Sequence, residues 1–182
     1  KTSYNELCGN WARRMASLTA YQNSIRTNAY EFWTYIAAEL GVPDTTTQLD
    51  NGDIWPVVAL TKDDDTLLNY PMHRADPVSG VLKAQVTLVL QHESLPHCKG
   101  KVSIPVAFRF QDHVFQACIW NNREDRPSVE FDYSSDTQFI AQAIIDHFEK
   151  YVETNLFSGA DSDSESGDKP YSGTNAGFTR DG

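Results

Sequence analysis

The sequence predicts an α+β domain in two layers, an antiparallel meander of four to six strands with helices over one face. Three observations predict it. First, apolar residues fall into a two-residue period over Val81–Trp120: Leu82, Ala84, Val86, Leu88 and Leu90 oppose Lys83, Gln85 and Thr87, and Val102, Ile104, Val106, Phe108 and Phe110 oppose Ser103, Arg109 and Gln111. A half-buried sheet has this alternation, one face in the core and one in water. Second, segments with apolar residues three or four apart stand on both sides of this stretch, as amphipathic helices require. Third, the strands follow one another through short turns, which favours antiparallel pairing.

The first helix runs from Ser3 to Leu40. Ser3 with Glu6 forms a capping box, which satisfies N–H groups that the first turn leaves orphaned. Leu7, Trp11, Met15, Leu18, Ile25, Phe32, Ile36 and Leu40 make one apolar stripe, and Gly41 followed by Pro43 stops the helix. Unbroken, it would span roughly 55 Å at 1.5 Å per residue, more than the width of a small domain. It therefore either breaks near Gln22-Asn23-Ser24 or projects from the domain.

Asn51-Gly52 marks a turn before a strand over Ile54–Leu60, where Pro56 argues for an edge position. Lys62-Asp63-Asp64-Asp65 is a charged turn, and Thr66–Met72 reads as a further strand. After the turn at Asp76–Gly80 come the strands Val81–Gln91 and Lys101–Phe110. Pro105 places the second of these at an edge or a bulge. Gln111-Asp112-His113 is a hairpin turn into Val114–Trp120, and Ser128–Tyr133 is the last strand. Ser135 with Gln138 is a second capping box. It opens a helix carrying Phe139, Ile140, Ala143, Ile144, Phe148, Tyr151 and Val152 to about Leu156. Residues 1–157 form the single domain. Residues 158–182 are rich in Gly, Ser and Asp and read as a disordered acidic tail.

Of the formal charge of −10, residues before Gly159 carry −7 (20 acids, 13 bases) and the tail −3 (five acids, two bases). A net negative surface repels phosphate backbones, so no direct nucleic-acid binding is expected, and a protein partner with a basic surface is. No run of about 18 apolar residues exists for a membrane span. Three cysteines, Cys8, Cys98 and Cys118, are too few and too scattered for a disulfide framework, which points to the cytoplasm.

The chemistry-bearing residues give little to build on. His92, His97, Cys98, His113 and Cys118 are zinc-ligand types, but no ligand-pair spacing joins them, and no metal or other cofactor is expected. A small hydrolase or metal-dependent enzyme would need His92, His97, Asp112 and His113 to converge, although regular pairing sets the two loops at opposite ends of the sheet. No nucleophile elbow, phosphate-binding loop or dinucleotide fingerprint occurs.

The first helix is richer. Trp11, Tyr21, Tyr30, Trp33 and Tyr35, with Phe32, exceed what one narrow seam can bury, and large aromatics of this kind dominate binding interfaces. Packing on a wide sheet is the alternative fate for them. The sequence therefore reads as a non-enzymatic protein-interaction module, such as an adaptor, chaperone, inhibitor or immunity-type protein. It would bind through the aromatic helix or a sheet edge, as a homodimer or in a heteromeric complex. A nucleic-acid-mimicking inhibitor and a viral or phage structural subunit are further readings of the same acidity and elongated helix.

Overall fold

The computed structural model describes residues 2–42, 45–62, 67, 74–92, 94–120 and 132–155, without the side chains of 95–98, 154 and 155. Its elements are α1 (Tyr4–Glu39), β1 (Thr46–Gln48), β2 (Ile54–Pro56), β3 (Val58–Thr61), β4 (Leu82–His92), β5 (Leu95–Gln111), β6 (Val114–Ile119) and α2 (Thr137–Asn155). β1 and β2 form a small hairpin, and β3-β4-β5-β6 form an antiparallel meander with every neighbour in chain order. The predicted α+β architecture is the one observed.

The predicted strand over Ile54–Leu60 is two strands. At Val57 the chain changes sheets, its N–H donating to Thr45 and its carbonyl accepting from Val89. Leu67, in the expected strand Thr66–Met72, bridges Thr61, and Ser134 bridges Ala117 just past the expected strand Ser128–Tyr133. Asp132 and Tyr133, the described end of that second segment, are not strand, and the rest of both segments, with the tail from 156 on, lies outside the described residues.

The front of the sheet carries the core. Leu82, Ala84, Val86, Val102, Ile104, Val106, Phe108, Ala117 and Ile119 are buried beneath Ile25, Ala29, Phe32 and Ile36 of α1 and Ile140, Ala141, Ile144 and Phe148 of α2. Phe32 meets Phe108 edge-on at 5.2 Å between centroids, and Phe108 stacks on Phe115 at 5.6 Å.

The back of the sheet departs from the simple half-wet pattern. Ala59, Thr61, Thr87, Val89, Ser103, Ala107 and Cys118 are buried there as well. Hydroxyls of Thr61, Thr87 and Ser103 run across three strands at 2.9 and 2.8 Å, so each buried hydroxyl has a partner. Three cations of this face lie against aromatic rings: Lys83 over Trp120, Lys101 over Trp55 and Arg109 over Tyr133, at 4.7, 4.3 and 3.9 Å from the ring centroids.

Pro105 has a different explanation from the one expected. β5 is flanked by both β4 and β6, and Pro105 pairs opposite Gln85 without a register shift there. Its carbonyl accepts from Trp120 N–H at 2.9 Å, immediately beyond the last β5–β6 pair, Val106 with Ile119. The N–H that proline lacks would have continued that ladder, so Pro105 stands where pairing with β6 stops.

The helix ends follow local chemistry. The Ser3–Glu6 capping box is present, with bonds of 2.7 and 3.3 Å. Gly41 takes φ +72°, while Val42 N–H reaches Ala37 O and Gly41 N–H reaches Ala38 O, a Schellman stop. α2 starts one residue later than the Ser135–Gln138 box implies. Asp136 is its cap, accepting from Phe139 N–H at 3.1 Å, and Ser134 Oγ steadies Asp136 N–H.

Candidate functional site

α1 does not break at Gln22-Asn23-Ser24; it is one 36-residue helix. These residues instead mark where the helix meets the domain. Gln22 is buried, and its amide clamps the backbone of Ala75 from both sides, Nε2 donating to the carbonyl at 2.9 Å and Oε1 accepting from the N–H at 2.7 Å. Tyr21 Oη donates to the Gly80 carbonyl and accepts from Phe110 N–H at 3.5 Å. A Cβ on Gly80, at φ +70°, would stand 2.8 Å from that hydroxyl, so the close approach needs glycine. The Asp76–Gly80 turn and the β5–β6 hairpin thus grip the helix at its middle.

Below this grip the stripe of α1 is core: Gln22, Ile25, Ala29, Phe32 and Ile36 are buried. Above it the same stripe continues through half-buried Leu18 to Met15, Trp11, Leu7 and Tyr4, which face solvent. Tyr4 is 79 % exposed, Leu7 56 %, Trp11 64 % and Met15 38 %. Residues 4–20 therefore form an arm about 25 Å long, with an apolar face and no covering element among the described residues. An isolated helix of this length is marginal in water. The anchored half of α1 removes the nucleation cost, and the capping box closes the free end.

The structure divides the five predicted binding aromatics. Trp11 lies at the centre of the exposed stripe. Tyr30 is exposed on the body, its ring 5.0 Å from that of Trp33. Tyr21, Trp33 and Tyr35 are partly buried and pack against the core, and Trp33 Nε1 donates to the Val58 carbonyl at 2.7 Å. Tyr4, Leu7, Met15 and Leu18 of the same stripe are not among the five aromatics that the sequence singles out. The signal for them was the stripe itself, which runs on past the length a domain can cover.

The histidine group does not assemble. His92 closes β4 at one end of the sheet, and Asp112-His113 form the β5–β6 turn at the other. The 17 residues of β5 lie between them, about 50 Å at 3.3 Å per residue. The His97 side chain lies outside the described residues. Among the described residues, no group of three His, Cys, Asp or Glu could hold a metal ion. Cys8 and Cys118 are free thiols, exposed and buried respectively. Burial pushes the Cys118 thiol above its ordinary value, and burial, reinforced by the adjacent Cys118 sulfur, pushes the Tyr133 phenol up to about 12. Both are neutral packing groups. Among the described residues, no helix is long and apolar enough to cross a membrane.

Family models, characterised proteins and solved structures offer no match to this chain.

Proposed function

We propose that this chain is a protein-interaction module and that the projecting half of α1 is its binding element. One observation carries the reading: an apolar stripe that is core below Gln22 continues above it with no cover among the described residues, on a helix gripped firmly enough to present it. Exposed contiguous apolar surface on an otherwise well-packed domain is the mark of an interaction site. Trp11 and Tyr4 are the residue types that anchor such interfaces. A module that offers an apolar helix face to another protein suits an adaptor, chaperone or inhibitor role. Free thiols at Cys8 and Cys118 suit a reducing cytoplasm.

A photo-crosslinking residue at position 11, with one at exposed position 149 on α2 as control, tests this in extract from the source cells. Discrete adducts at position 11 and none at 149 are expected. Equal labelling at both positions, or none at 11, contradicts the reading.

A further inference from the structure

The arm has a geometry that selects among partners. Its stripe residues, exposed Tyr4, Leu7, Trp11 and Met15 and half-buried Leu18, are spaced three, four, four and three apart, so the stripe reads the same in either direction from Trp11. We propose that the arm is covered by the arm of a second copy of this chain, laid antiparallel and crossing at Trp11. This rests on reading the arm as the binding element and names its occupant.

A two-fold axis at Trp11 places that ring on its twin, Leu7 against Met15 of the other copy, and Tyr4 against Leu18. Each layer then pairs a residue with a different one of the other copy outside the centre, Tyr4 over the smaller Leu18 and Leu7 beside the similar-sized Met15, the self-complementary pattern of an isologous contact.

The area is sufficient for a reversible dimer. Two aromatics at about 150–250 Å² each, with three aliphatic or thioether side chains, bring each arm close to the ~600 Å² per partner at the low end of specific interfaces.

Charge decides the orientation. The chain's −10 splits into +2 over residues 1–20, from Lys1, Arg13 and Arg14 against Glu6, and −12 over the rest. A parallel pair would set two acidic bodies side by side. The antiparallel pair puts the bodies at opposite ends of a ~25 Å arm, well beyond the ~8 Å screening length at physiological salt.

Sedimentation of the full chain from about 1 µM to about 500 µM brackets the affinity of an interface this small. The expected mass rises from one chain to two across that range. Trp11→Glu, whose side chain leaves the core untouched, weakens the dimer by at least about 30-fold while the circular dichroism spectrum keeps its body signature. Orientation is read by disulfide capture in a Cys8→Ser, Cys98→Ser background. Leu7→Cys and Met15→Cys chains form covalent dimers when mixed and not when oxidised separately. Capture within each variant alone means parallel arms and overturns the proposal. A single-chain mass at every concentration overturns it too. If such a monomer still gives adducts at position 11 in extract, the interaction reading survives with a different partner; if it gives none, both fall.

Discussion

Single residues set the root of the arm, and Gln22 is the plainest case. In sequence it looks like part of a helix-weakening Gln-Asn-Ser triplet. In the structure its amide replaces a strand neighbour for Ala75, a residue 53 positions away. Nothing local in the sequence announces that bond, so the break expected there gives way to an anchor. Gln22→Met keeps the volume and removes both bonds, leaving the Ala75 N–H and carbonyl buried and unpaired. A loss of about 2–4 kcal/mol in urea-measured stability is expected, at ~1–3 kcal/mol for each orphaned group. The β5–β6 turn behaves in the opposite sense. Asp112 and His113 both take positive φ, 49° and 65°, a type I′ geometry that Asn-Gly fits better. Asp112→Asn with His113→Gly should raise the melting temperature by roughly 2–4 °C, the shift expected for ~1 kcal/mol in a domain of this size. Alkali has a defined sign. Cys118 and Tyr133 hold their protons more tightly folded than unfolded, so the unfolded chain releases protons first as pH rises. Their contribution is complete below about 9 and is then lost, the Tyr133 share between 10 and about 12. Tyr133→Phe should flatten that upper part of the stability profile.

At the scale of elements, periodicity was readable and burial was not. The alternation of the two central strands, the two helices and the stop at Gly41 all follow from spacing and caps visible in the sequence. The stripe of α1 has one period along its whole length, yet half of it is core and half is open. The difference lies in where the Asp76–Gly80 turn and the β5–β6 hairpin reach the helix, which no window of sequence contains. Pro105 shows the same limit. Its missing N–H was legible; that β6 stops beside it, with β5 flanked by both neighbours further along, was not. The two halves of α1 should therefore answer differently to substitution. Ile25→Ala or Ile36→Ala, at fully buried positions, should cost about 2–5 kcal/mol. Leu7→Glu in the arm should change global stability by less than about 0.5 kcal/mol, measured by denaturation at a dilution where the chain is single.

The whole molecule joins a body buried on both sheet faces to an arm buried on none. The hydroxyl row of Thr61, Thr87 and Ser103 and the cation–ring pairs above it close the back of the sheet, so the meander serves as scaffold. His92 and the Asp112-His113 turn are held apart by the full length of β5. Among the described residues the arm carries a continuous exposed apolar stripe, which is why it is the proposed binding element, and its charge contrasts with that of the rest of the chain. Amide hydrogen exchange over residues 4–39 of α1 tests this most directly, run in dilute solution and again at high concentration. The account predicts fast exchange over 4–20 and slow exchange over 22–39 when dilute, with 4–20 becoming protected as its stripe is covered. Arm amides as slow as those of 22–39 in the dilute chain would mean that the stripe is already covered within one molecule, and would contradict it.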